Sequence, residues 1–178
     1  MAILETDRLV LRQMEQADFP ALCEMLCDPT VMHYYEGAFA VEEAREWLNR
    51  QVARYQQWGF GLWAVTLGKK GRMIGQCGLT MQRIPQAEVL EVGYLFNHAF
   101  WHQGYATEAA RACRDYAFQN LDAKEVYSII RDVNYASQAV AQRNGMRPRC
   151  TFIKHYRGVD MPHIAFSIRR EEWEERGE

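Results

Sequence analysis

Residues 91–109 read Glu-Val-Gly-Tyr-Leu-Phe-Asn-His-Ala-Phe-Trp-His-Gln-Gly-Tyr-Ala-Thr-Glu-Ala, the pattern of a strand, a short loop and the start of a helix. Gly104 has no side chain and Ala106 a minimal one, so an anion can approach the backbone closely there. Free N–H groups converge at a helix N-terminus and the helix dipole adds its attraction, which suits a phosphate or pyrophosphate. The plainer alternative is a glycine-containing turn that only starts a helix. Neither GxGxxG nor GxxxxGK followed by Ser or Thr occurs, so Rossmann and P-loop chemistry have no support.

Other reactive residues point less clearly to a site. Cys23 and Cys27 lie four apart with His33 nearby, but no further Cys/His cluster accompanies them, so they read as packed thiols and no metal is expected. Cys113 sits on an apolar helical face and reads as core. A covalent acyl-cysteine route would need an adjacent base, and none is evident.

The elements that must position this stretch follow from periodicity. Leu4 to Met14 reads as one strand and Asp18 to Leu26 as a short helix closed by Asp28-Pro29. Ala44, Trp47, Leu48, Val52 and Tyr55 recur at helical spacing, giving a long amphipathic helix from Val41 to about Trp58-Gly59. Leu62 to Leu67 and Met73 to Met81 read as strands joined across Gly68-Lys69-Lys70-Gly71. Glu88 to Phe96 is a third strand, with Glu91, Gly93 and Leu95 on one face. A helix over Tyr105 to Leu121 shows the small-residue face Ala106, Ala109, Ala110, Cys113 and Ala117. A strand at Glu125 to Ile130, a helix from Ala136 to Asn144 stopped by Gly145, strands near Cys150 to Lys154 and Ile164 to Ile168, and a charged tail complete the chain. That order predicts a mixed α/β domain with a largely antiparallel first half.

Composition narrows the function classes. The 178 residues suit one domain over 1–178, and no linker or repeat divides them. No apolar run approaches the roughly 20 residues that span a bilayer, and the N-terminus carries charges where a signal peptide is apolar. Five cysteines, an odd number without CxxC, do not form a disulfide framework, so a cytoplasmic protein without membrane contact is expected. A net charge of −2 argues against a nucleic-acid partner.

The stretch resembles the acetyl-CoA-binding motif of the GNAT acetyltransferases, particularly their RimJ/RimL-like branch of ribosomal-protein N-terminal acetyltransferases. Glu91-Val92-Gly93-Tyr94 matches the branch's strand, and Gly104 to Ala109 its helix start. Thr6 to Arg12 resembles the family's opening strand. Asn134 to Ser137, Val140 and Arg143 to Met146 resemble its second cofactor motif, and Tyr156-Arg157-Gly158, Asp160 and Glu172-Trp173 its C-terminal strands. The chain departs from the pattern at Trp101, where the superfamily has Gln or Arg, and at His102, where the branch has Gly.

The resemblance implies the GNAT fold: a mixed, mostly antiparallel α/β (α+β) sheet with helices on both faces and a V-shaped splay between two central strands. It implies acetyl-CoA as co-substrate, its pyrophosphate on the N–H groups of His102, Gln103, Gly104, Tyr105, Ala106 and Thr107. Leu95 and Phe96 would line the pantetheine arm, pairing with it as an extra strand would, and the Asn134 amide would bond the arm or the motif backbone. An amine near pKa ~10 must lose a proton before it attacks, and Glu91 is the first candidate base, against a solvated or salt-bridged strand Glu. The superfamily's Tyr acid is replaced by Ala141, so Ser137 stands in as acid, unless it only caps its helix. His98 and His102 flank the cleft, and Arg111, Arg114 and Arg143 are candidates for the CoA 3′-phosphate. His33, Tyr34, Tyr35, Phe39 and Glu36 suggest a cation-accepting mouth. The acceptor is a protein N-terminus, polyamine, aminoglycoside or small metabolite, the protein a monomer or homodimer. The rival class is a non-catalytic acyl-CoA sensor.

Overall fold

The computed structural model describes residues 1–69 and 71–177. The chain opens with a hairpin, β1 (Ala2–Glu5) and β2 (Leu9–Arg12), in place of the single strand expected over Leu4 to Met14. Thr6 breaks it: its N–H bonds Leu9 C=O (2.9 Å) and its Oγ1 accepts from Leu9 N–H (3.0 Å). Helices α1 (Phe19–Leu26) and α2 (Val41–Trp58) follow, the second ended by Gly59 at φ 77°. An antiparallel meander then runs through β3 (Leu62–Leu67), β4 (Met73–Ile84) and β5 (Ala87–Phe96). Lys70, in the expected β3–β4 turn, lies outside the described residues.

The second half contains α3 (Tyr105–Asn120), β6 (Glu125–Arg131), α4 (Tyr135–Arg143), β7 (Arg147–Tyr156) and β8 (Val159–Arg169). The last two strands run longer than expected. They are joined by Arg157 and Gly158 at φ 50° and 75°, both in the left-handed region that a two-residue hairpin demands. The charged tail forms a short helix, α5 (Arg170–Glu174), because Trp173 stacks on Phe118 (5.0 Å) and donates to Asp115 (2.8 Å). Among the described residues eight strands make one sheet, in the order β1-β2-β3-β4-β5-β6-β8-β7.

Helices cover both faces, as alternation along β3 shows. Leu62 and Ala64 join Leu22, Leu26 and Leu48 beneath α1 and α2, while Trp63 and Val65 join Ala109, Cys113 and Ala117 beneath α3. In α2 the buried row is Ala44, Leu48, Gln51 and Tyr55, so a glutamine takes the core position expected of Val52. Its Oε1 accepts from Leu62 N–H (3.3 Å) and Arg54 Nη1 (3.1 Å), satisfying a strand end that an apolar residue would leave unpaired.

The sheet is antiparallel except between β5 and β6. These two parallel strands share one ladder position, Glu91 opposite Tyr127, and then diverge. Among the described residues no helix is long and apolar enough to cross a membrane.

Candidate active site

The expected anion loop is held by residues from distant parts of the chain. Asn97 ends the strand, its Oδ1 accepting from Ala99 N–H (3.0 Å) to start a single 3-10 turn over His98–Phe100. Trp101 Nε1 donates back to Phe96 C=O (2.8 Å) and ties the loop to β5. His102 (φ 59°) and Gly104 (φ 81°) both adopt the left-handed conformation. Glycine does so freely, whereas His102 bears a cost of about 1–2 kcal/mol. The loop keeps the shape that glycine would favour, with a side chain added.

At the head of α3, Glu108 N–H bonds Gly104 C=O (3.0 Å). The N–H groups of Tyr105, Ala106 and Thr107 therefore precede the helical ladder. Glu108 also clasps the first hairpin, accepting from Thr6 Oγ1 (2.6 Å), Arg8 N–H (3.0 Å) and Arg8 Nε (2.7 Å). Arg8 Nη1 reaches Gln103 C=O (2.9 Å), and its guanidinium lies 4.5 Å over the Tyr105 ring. Burial pushes the Glu108 carboxyl up, but the bonds from Thr6 and Arg8 outweigh it and hold it below its ordinary value.

The divergence of β5 and β6 opens a cleft of about 460 Å³. Val92 C=O accepts from Ser128 Oγ (2.8 Å) on the β6 side, whereas Asn97 N–H bonds Ile74 C=O (3.0 Å) on the β4 side. Backbone direction alternates along a strand, so the Tyr94 N–H and C=O face the opened seam. Glu91 stands where the strands part. Its Oε1 accepts from Ile129 N–H (3.1 Å) and its Oε2 from Thr80 Oγ1 (3.3 Å), so a carboxylate replaces a backbone partner across the gap. Burial raises its pKa above the ordinary carboxylate value, opposed by nearby Lys154, these two hydrogen bonds and Arg54. Tyr94 donates its phenol to Ser137 C=O (2.7 Å), and burial carries its pKa well above the usual tyrosine value.

Residues 8–147 match the acetyltransferase (GNAT) domain family, most of the chain. This protein belongs to the GNAT acetyltransferase family. The chain is 40% identical over 144 residues to the uncharacterised YkkB of Bacillus subtilis (strain 168), covering 80% of this chain and 84% of that one. In fold it resembles a GNAT-family acetyltransferase from Bacillus anthracis, with TM-score 0.81 and 24% identity over 94% of this chain and 98% of the other. It also resembles RimL, a ribosomal L7/L12 α-N-protein acetyltransferase solved with coenzyme A, with TM-score 0.76 and 19% identity over 95% and 98% of the two chains. Binding of acetyl-CoA is typical of the family.

Within this GNAT chain the cleft gathers Glu91, Leu95, Asn134 and Ser137, and the loop from His102 to Thr107 stands apart from its walls. Several expectations need correction. The Phe96 side chain is buried in the core against Gly75, which leaves its backbone for the strand-like pairing that the resemblance implies. Asn134, not Ser137, caps α4, its Oδ1 accepting from Ser137 N–H (3.1 Å). Arg114 is fully buried and donates to Asn144 C=O (2.7 Å), which makes it a clamp between α3 and the end of α4 and removes it as a phosphate contact. Glu36 is ion-paired with Arg131 (2.9 Å), so its charge is already matched and the mouth is not cation-accepting through it. Cys113 is core as expected, 3.6 Å from Cys77. Thr80, Arg54 and Lys154 line the cleft without a local sequence signal to mark them, since each is an ordinary polar residue on a helix or strand.

Proposed function

We propose that the chain transfers an acetyl group from acetyl-CoA to a primary amine by direct attack, with Glu91 as the base. The observation that carries this reading is the half-buried Glu91 carboxyl, raised in pKa, at the point where β5 and β6 part and beside the seam-facing N–H of Tyr94. Acetyl-CoA supplies the acyl group already activated as a thioester.

The N–H groups of Tyr105, Ala106 and Thr107, with the backbone of His102, Gln103 and Gly104, fit a pyrophosphate. Gly104 suits that loop through its backbone, since its φ of 81° is one that side-chain-bearing residues rarely adopt. Leu95 and the backbone of Phe96 border the pantetheine path, and the amide nitrogen of Asn134, whose oxygen is committed to the cap, is available to it. Tyr94 N–H serves as the donor to the thioester oxygen, where negative charge grows as the amine attacks. Glu91 takes the proton that the amine must shed as the C–N bond forms. The Ser137 hydroxyl gives its proton to the sulfur as the C–S bond breaks and regains one from solvent, into which Glu91 releases the proton it took. Because capping falls to Asn134, that hydroxyl is not needed by the helix end.

The RimJ/RimL-like motifs and the fold shared with RimL support including a protein N-terminus among the acceptor classes, alongside small-molecule amines. The test is thiol release from acetyl-CoA with a panel of N-terminal peptides, amino acids, polyamines and aminoglycosides. Turnover with one amine class is the expected result. Tight acetyl-CoA binding without turnover of any amine would move the chain to the sensor class.

A further inference from the structure

Resting on the transferase reading, the cleft says something about the acceptor that its loop motif does not. Its lining carries three fixed cations, Arg54, Arg131 and Lys154, and one carboxyl, Glu91. Arg131 is matched by Glu36 (2.9 Å), yet its Nε is buried with no hydrogen-bond partner among the described residues. Arg54 and Lys154 make no ion pair among the described residues. They reach the cleft from opposite parts of the sequence, α2 and β7. Arg54 is not a loose surface group: the fully buried Gln51 accepts from its Nη1 (3.1 Å) and fixes it against the wall.

We infer that the acceptor is an amine that also carries a carboxylate, with Arg54 and Lys154 receiving the carboxylate while Glu91 receives the amine. A carboxylate supplies the acceptor oxygens that a guanidinium and an ammonium both require. A diamine or aminoglycoside would instead press a second ammonium against two cations, and like charges in a partly desolvated site select against such a partner. The carboxylate could belong to a free amino acid or to an acidic residue near a peptide N-terminus.

The experiment compares kcat/KM for glycine, β-alanine and γ-aminobutyrate with that for alkylamines and diamines of matching chain length. Ala-Gln and Ala-Glu peptides with amidated C-termini form a further pair. The wild-type protein, Arg54→Gln and Lys154→Gln are measured alongside. An amino-carboxylate is expected to exceed its matched alkylamine and diamine by about tenfold or more, chiefly through KM. A larger advantage in the Ala-Glu peptide over Ala-Gln than in the amino acids would name the peptide as the source. Each variant is expected to cut the ratio of amino-carboxylate to alkylamine by about tenfold, a ratio that general damage to the protein leaves alone. Diamines turned over as well as amino-carboxylates would overturn the inference and leave the transferase reading intact. So would variants that slow every acceptor alike, since Arg54 and Lys154 would then act only on Glu91. Acetyl-CoA binding with no amine acetylated would remove the transferase reading, and this inference with it.

Discussion

The head of α3 and the walls of the cleft handle charge in opposite ways. The loop from His102 to Thr107 offers backbone N–H groups, set by two left-handed residues and braced from behind by Arg8 and Glu108. The cleft offers side chains: Glu91 from β5, Arg54 from α2, Lys154 from β7 and Ser137 from α4. Backbone groups are the same whatever residue bears them, so the first region suits a ligand shared across a whole family. Side chains can be exchanged one at a time, so the second suits whatever distinguishes one member from another.

Substitutions should fall on one side of this division or the other. The largest effect is expected from Glu91→Gln, which should lower kcat by about 10²–10⁴-fold while leaving the acetyl-CoA Kd near that of the wild type. Wild-type activity should rise with pH through a pKa above the ordinary carboxylate range, and the variant should lose that limb. An unchanged pH profile would remove Glu91 as the base. Next is Gly104→Val, which places a β-branched residue at φ 81° and should weaken acetyl-CoA binding by about 10–100-fold, measured by calorimetry. The pH dependence of its residual activity should still follow Glu91. Arg8→Ala strips the brace without touching the N–H groups at the head of α3. It should raise the KM for acetyl-CoA about three- to tenfold while amine selectivity stays put.

The smallest expected effect concerns stability. Glu91 holds its proton to higher pH in the folded chain than in the unfolded one. Between those two pKa values the folded state binds more protons, so stability falls as pH rises through the window. Glutamine has no proton to lose and can still accept from Ile129 N–H. Glu91→Gln should therefore melt about 2–4 °C above wild type at neutral pH for each kcal/mol recovered, and match it at low pH. Equal melting curves at both pH values would contradict the raised pKa.

The same division explains what the sequence discloses. Gly104 to Ala109 is contiguous, and the limits of α2, stopped by Gly59, emerge from helical period and a glycine alone. The pairing of Thr6 and Arg8 with Glu108 across a hundred positions has no periodic trace, although both segments resemble family motifs. Charge on Glu36 reads as a cation-binding mouth until Arg131, ninety-five positions away, is found against it. Gln51 interrupts the apolar row of α2 because of a strand end that only the folded chain presents to it. Arg114 falls on an otherwise small and apolar helical face, where a charged residue reads as solvent-facing until the Asn144 carbonyl is placed beside it.

The single rung between β5 and β6 bears on how the molecule comes apart. Strands β1 to β5 are bonded to one another, and so are β6, β8 and β7, but the two rafts meet through one backbone position, with Ser128 and Glu91 supplying the other bonds. The inter-helix grip of Arg114 on Asn144 then spans the divide from one side. In amide hydrogen exchange the raft of β6, β8 and β7 should behave as a cooperative unit distinct from the meander, and a ligand lodged in the seam should slow exchange in both at once. The seam that opens the cleft is thus also the line along which the native state is least tightly stitched.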